Sequence, residues 1–208
     1  MATDPARLEL LSALSRKVLW LSSWTIHHAN HIRTNSDGLK VGGHQASSAS
    51  LATIMSALYF SVLRPQDRVA VKPHASPVFH AIQYLFGRQS RDKLENFRGF
   101  KGAQSYPSRT KDTDDVDFST GSVGLGAAQT IFASMVQDYV HAHGWAKDRR
   151  DGRMIALLGD AAALSPGRVL VIVPDPSLTP GDCIVDVAAC RVDARVSAAI
   201  QRAREVVS

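Results

Sequence analysis

Three kinds of residue in this chain stand where they could do chemistry together. The first is the glycine-rich stretch Ser119 to Ala127 (STGSVGLGA), whose glycines at 121, 124 and 126 let backbone amides approach a ligand at the start of a helix. A helix N-terminus favours negative charge, so phosphate is its natural occupant, although the same pattern also serves to pack a helix closely. The second is Asp160, which follows an apolar strand and a glycine (MIALLGD) and so projects at the carboxyl edge of a sheet, on the side of the glycine-rich helix start. A magnesium ion bridging protein and diphosphate oxygens requires such a carboxylate; an aspartate there can equally cap the next helix. The third is histidine. His44 in GGHQ and His74 in KPHASP each stand where loop or strand turns into helix, and a neutral imidazole there can donate to phosphate or to a reacting oxygen, or serve structure alone. His27, His28 and His31 cluster at helical spacing, but no glutamate follows in the HExxH sense and no cysteine is near, so a plain helix face is the simpler reading.

The elements that must position these residues follow from periodicity. Leu8, Leu11, Leu14, Val18 and Leu21 recur at helical spacing and predict one or two amphipathic helices over the first residues. After a loop at 34–43 (TNSDGLKVGG), Leu51, Ile54, Met55, Leu58 and Tyr59 mark a second, largely buried helix with Ser47 or Ser48 as its cap. Arg68 to Lys72 (RVAVK) is a short apolar strand stopped by Pro73, and Pro77 opens a helix reaching about Gly87. Ser90 to Phe97 is a further short helix. Arg98 to Phe118 is long, polar and without periodicity, and a loop of that length inside a compact domain is usually functional. A helix from Ala127 to about His141 carries Ile131, Met135 and Tyr139 on one face, and Met154 to Leu158 is a wholly apolar strand. Apolar strands alternating with helices predict an α/β fold, a parallel sheet covered by helices, with ligands outside the carboxyl ends of the strands.

Composition changes after Asp160. Ala161 to Pro166 is breaker-rich, Arg168 to Val173 (RVLVIV) and Cys183 to Val187 read as strands, and Asp193 to Val207 as a polar helix, a small α+β tail. The expected organisation is a helical segment at 1–33, the main domain at 34–161 and a separate module at 162–208. With 208 residues, 45% of them hydrophobic, the chain can bury a core of one domain. Its 24 basic and 19 acidic residues give +5 but are interspersed, which suits anionic small molecules and predicts no nucleic-acid arm. Cys183 and Cys190 lack metal-ligand spacing and read as free thiols of a reducing compartment. The N-terminal residues lack the order of a secretory signal, and no apolar run approaches the roughly 20 residues of a membrane span, so a cytoplasmic location is expected.

The segments GGHQASSAS, VKPHASPVFHA, KLENFRGFKGAQSYPS, DFSTGSVGLGAAQ and MIALLGDA, in this order, resemble the N-terminal domain of transketolase-like proteins, in particular the homodimeric bacterial pyruvate dehydrogenase E1 branch, over residues 16–161. The resemblance implies the cofactors thiamine diphosphate and Mg²⁺. It implies that His44 and His74 contact the diphosphate or the substrate, that Ser122, Val123, Gly124, Leu125 and Gly126 line the cofactor pocket, and that Asp160 is a magnesium ligand. In that family a thiazolium ylid attacks the carbonyl of a 2-oxo acid or ketose phosphate, and the adduct loses carbon dioxide or cleaves a carbon–carbon bond. A homodimer or a complementing subunit is the implied partner.

The sequence also departs from that pattern. The family's metal motif continues from Gly-Asp to an asparagine roughly 30 residues on; here Ala162 stands where an acidic residue is expected, and no asparagine follows Asn96. The pyrimidine-binding domain, source of the glutamate that activates the cofactor, has no room before Ser208, so a truncated or fused form that is inactive alone is expected. The tail, with PDPSL at 174–178, PGDC at 180–183 and RVDA at 191–194, resembles the C-terminal end of stator proteins of type III secretion and flagellar export ATPases. That resemblance implies contact with an export ATPase, and with it the alternative of a non-catalytic remnant or stator-like binding module.

Overall fold

The computed structural model describes residues 4–35, 38–121, 124–146 and 152–158 in full, and the backbone of 184–187 and 190–193. Asp4 opens α1 (Pro5–His27), its carboxylate accepting from the Ala6 amide at 3.1 Å, with Pro5 where a missing N–H costs nothing. Helix α2 (Gln45–Ala57) runs antiparallel to it. Arg7 donates to Ser61 Oγ at 2.7 Å near one end, and the Ser15 and Thr53 hydroxyls meet at 3.1 Å midway. Each helix finishes in a π turn, His28–Ile32 and Leu58–Val62.

The N-terminal apolar stripe is buried only in part. Val18 and Leu21 join a core cluster with Leu51, Ala52 and Met55 of α2, whereas Leu8 is 51% exposed. The two serines expected to cap α2 lie inside it: His44 is the N-cap, without a side-chain cap bond. The hydroxyls of Ser47 and Ser48 are buried with no partner among the described residues. The helix starts earlier than the serines imply because Gly42 and Gly43, at φ +82° and +129°, turn the chain just before His44.

Strands β1 (Arg68–Ala70) and, much later, β2 (Met154–Ala156) pair in parallel, with Val69 opposite Ile155. Both expected strands are present and parallel, though shorter, since the chain turns away through the 3₁₀ turn Pro73–Ala75. Helix α3 (Ser76–Leu85) follows with Pro77 in its first turn, and its residues from Ser76 to Gln83 are all buried. It ends where Gly87, at φ +73°, lets Arg88 N bond Gln83 O and Gly87 N bond Tyr84 O. Val69, Val71, Ile155 and Leu157 pack with Val78, Phe79 and Ile82 into one core. The short helix α4 (Arg91–Glu95) is capped by Ser90, whose hydroxyl accepts from Lys93 N at 3.3 Å.

Helix α5 (Leu125–Ala142) packs on this strand pair near its start, where Gly126 and Thr130 are buried. Ile131, Met135 and Tyr139, the apolar face legible in the sequence, are 41%, 42% and 55% exposed, beside Phe132 and Val136. In the tail, β3 (Ile184–Val187) pairs antiparallel with β4 (Cys190–Asp193). The expected strand near 183–187 is therefore present, while Asp193, expected to begin a helix, closes a strand. The strand expected at 168–173 and the rest of the final helix lie outside the described residues. Among the described residues no helix is long and apolar enough to cross a membrane.

One carboxylate joins the two ends of this domain. Asp67, buried just before β1, accepts from Arg64 N at 2.9 Å, Arg153 N at 2.9 Å, Arg153 Nε at 3.1 Å and Arg153 Nη2 at 2.5 Å. Burial alone would raise its pKa, but the hydrogen bonds from Arg153 and from the Arg64 amide, with the Arg153 charge, hold it below the usual carboxylate range. Replacing it, Asp67→Ala, is expected to cost about 2 to 3 kcal/mol in urea unfolding at neutral pH, the low end for a broken pair because Arg153 is 28% exposed and can turn to water. A group with a depressed folded pKa stabilises above its unfolded value of about 3.9 and loses that contribution as pH falls through the folded value. Wild type and variant should therefore converge in acid; a constant gap across that range would contradict the assignment.

Candidate functional site

His44 and His74 meet. Their rings lie edge to face, with centroids 4.5 Å apart and planes at 65°. His44 is delivered by the diglycine turn into α2, His74 by the 3₁₀ turn that follows β1. The glycines are required there. A Cβ on Gly42 would stand 2.8 Å from Arg98 Nη1, and one on Gly43 2.9 Å from Ile26. Asn30 closes the turn, donating to Gly42 O at 2.9 Å and accepting from Gly42 N at 2.8 Å. Burial, and then the positive neighbours His44, Lys72 and Arg98, hold His74 below the ordinary histidine value, so it is neutral at pH 7 and able to donate one hydrogen bond.

The start of α5 lies at the same end of β1. Thr120 donates its hydroxyl to Val71 O at 3.0 Å, and Gln129 reaches back to Ser119 O at 3.0 Å, which ties the segment before α5 to the residues leading into His74. Within the glycine-rich stretch the two readings divide by residue. Gly126 is a packing glycine, since a Cβ there would meet Ala70 Cβ at 3.3 Å. Gly124, at φ +76°, is the N-cap; among the described residues no side chain caps the helix, and none stands within 4 Å of where its Cβ would be. First-turn amides without a side-chain cap suit an anion. Leu125, the first helical residue, is 45% exposed. Strand β2 ends at this edge too, Leu157 N donating to Ala70 O at 2.9 Å. Ser122, Val123 and Asp160 lie outside the described residues.

The N-terminal histidine cluster is part of the frame. His28 Nδ1 bonds Glu95 O at 3.0 Å and its ring centroid lies 5.0 Å from that of Trp24, while the His27 and His31 rings lie tilted with centroids 4.8 Å apart. Among the described residues no group of three or more His, Cys, Asp or Glu is gathered as a metal would need.

Sequence reading missed the residues that shape the long polar segment. Asp112 accepts from Gln104 N at 3.0 Å and Ser108 N at 2.8 Å, and Asp117 accepts from Val69 N at 2.8 Å. Asp114 is buried against His80 and Gln89. Together they mould one wall of an open cleft of about 540 Å³ lined by Val41, Arg98, Gly99, Gln104, Ser105 and Tyr106. The run TKDTDDVD was the available signal: four carboxylates in a loop otherwise rich in backbone donors.

The fold is of the transketolase-like α/β kind. The solved transketolase from Leishmania mexicana superposes with a TM-score of 0.59 at 17% identity, covering 74% of this chain and 23% of that one. The sequence comparison narrows the relationship. The pyruvate dehydrogenase E1 component of Mycolicibacterium smegmatis is 31% identical over 160 residues, 72% of this chain and 17% of the relative. That of Escherichia coli K12 is 30% identical over 171 residues, 78% of this chain and 19% of the relative. The chain is thus homologous to a segment of pyruvate dehydrogenase E1 components and spans under a fifth of the length of these two relatives. No protein-family model matches it. These matches name no export-apparatus protein.

Titration of the histidine ring protons by NMR checks the electrostatics. His74 should titrate below about 6.5 and move upward when His44→Gln removes a neighbouring positive charge. A His74 that titrates at or above that value, unmoved by His44→Gln, would contradict this assignment.

Proposed function

We propose that this chain forms the diphosphate-binding part of a thiamine diphosphate-dependent protein of the pyruvate dehydrogenase E1 and transketolase kind, acting on a 2-oxo acid or a ketose phosphate. The observation that carries the reading is the meeting at one strand edge of the His44–His74 pair and the start of α5, which no described side chain caps. The homology to E1 components supports the same assignment.

The residues fit the anionic half of the cofactor. First-turn amides after Gly124 have no side-chain cap, neutral His74 can donate, and Lys72 and Arg98 add positive charge near it. The metal half fits less well: Asp160 is the candidate ligand, and no asparagine follows to supply a second side-chain oxygen. When bound, the thiazolium of the cofactor supplies carbanion chemistry at a substrate carbonyl. The chain's part is to hold the diphosphate, orient it against β1 and β2, and present His44 and His74 to the reacting side. The exposed apolar strip of α5, from Phe132 to Tyr139, suits cover by a second copy or a complementing subunit, as a multi-part enzyme requires. Residues 34–161 are the working domain in this reading.

Calorimetric titration with thiamine diphosphate and magnesium tests it. The 208-residue polypeptide should bind with Kd of about a millimolar, since one lost charge-assisted ligand costs about 1.5 to 3 kcal/mol, roughly 10- to 150-fold. Gly124→Val, which forces a β-branched residue into the left-handed region, should abolish the signal while circular dichroism stays that of a folded helical protein. The polypeptide alone should turn over neither pyruvate nor ketose phosphates. No binding even at several times that concentration would overturn the proposal, and turnover abolished by Asp160→Ala would overturn the inactivity of the isolated chain.

A further inference from the structure

His80, on α3 and fully buried, has an acceptor at each ring nitrogen: the Asp114 carboxylate at Nδ1 and the Gln104 carbonyl, 2.8 Å away, at Nε2. A ring that faces a carboxylate and a carbonyl satisfies both only by donating twice, which makes it the imidazolium. The second Asp114 oxygen accepts from Gln89, so the carboxylate is held from two sides. Gln104 is likewise held at both backbone atoms, its carbonyl by His80 and its amide by Asp112. These bonds tie α3 and the turn after it to two distant points of the 98–118 segment, and five of the six residues lining the cleft belong to that segment.

We propose that the buried His80–Asp114 ion pair is a protonation-dependent latch that keeps the 98–118 segment, and with it the cleft wall of Arg98, Gln104, Ser105 and Tyr106, in place. The proposal does not depend on the cofactor reading. Loss of the His80 proton would leave one ring nitrogen without a hydrogen to offer and an acceptor, either Gln104 O or Asp114, without its donor in a site closed to water. The charged groups acting on the ring are Asp114 and Asp112, both on the segment it holds; its other close ring neighbours, Phe79 at 5.6 Å and Phe97 at 6.4 Å, are uncharged. Burial by itself would strip the proton, but the hydrogen bond and charge of Asp114 outweigh it and hold the imidazole above the ordinary value. A raised folded pKa places the stabilisation fully below about 6.5 and removes it as pH rises through the folded value. The latch therefore opens on the alkaline side.

Hydrogen exchange read by mass spectrometry on the full chain, from about pH 5.5 to about pH 9 and corrected for the intrinsic pH dependence of exchange, tests this. Protection of peptides from 98–118 should fall about tenfold or more across a single step above the ordinary histidine range, the loss of one charge-assisted bond, while α2 peptides stay level. In Asp114→Asn, which preserves shape, the step should shift to lower pH; in His80→Phe it should vanish, with the segment poorly protected throughout. Protection of 98–118 independent of pH in the wild type would overturn the latch, whether or not either variant folds. An unchanged step in a folded His80→Phe would overturn it as well.

Discussion

The buried Asp67 carboxylate holds Arg153 across 86 residues of sequence, and the positions of β1 and β2 follow from that contact. Each strand has three residues, too few for backbone pairing alone to select a register. The Arg153 backbone and side chain both bind Asp67, and Arg153 also donates to Val62 O at 2.8 Å, so the chain enters β2 at one defined level beside β1. Gly152 permits the approach: a Cβ there would lie 1.9 Å from Gln66 O. With the starts aligned, the carboxyl ends are aligned, and the turn bearing His74 and the start of α5 come to share one edge. The other side of β1 is closed by Asp117, which accepts from Val69 N and so occupies an edge that would otherwise invite another strand.

Charge is divided between the two roles. The positive groups Lys72 and Arg98 surround the histidine pair, where burial and mutual repulsion keep His74 neutral. Asp112, Asp114 and Asp117 point instead into the frame, and each satisfies backbone or buried side-chain donors. The long polar segment is consequently an ordered strap, held by carboxylates as well as by the burial of Ala103 and Val116. Its ion pair of Arg88 with Asp115 adds little, because both partners are over half exposed.

Local chemistry was legible in the sequence. The apolar run at 68–72, Pro73 and Pro77 announced strand, stop and helix, and Gly124 announced a helix start, because each acts through its own backbone or its immediate neighbours. The misread features depend on residues far away. Ser47 and Ser48 look like caps until the diglycine turn starts the helix ahead of them. Ile131, Met135 and Tyr139 look like a packing face, yet α5 uses Gly126 and Thr130 to lie close on Ala70, which leaves the larger side chains outward. Asp67 with Arg153, and His80 with Asp114, join positions 86 and 34 apart, and no periodicity links such residues. Of the candidate site, the histidines and the helix start were legible individually, and their gathering at one edge was expected from the resemblance; the contacts that hold them there, Asn30 on the diglycine turn and Thr120 on Val71 O, were not.

The central claim is that this edge receives a diphosphate. Amide chemical-shift mapping on isotope-labelled chain, titrated with magnesium and thiamine diphosphate, tests it most directly. The account predicts the largest shifts at His44, at Lys72 and His74 and at Gly124 to Gly126, with thiamine lacking its diphosphate producing far smaller ones. Equal responses to the two compounds, or shifts concentrated away from that edge, would contradict it.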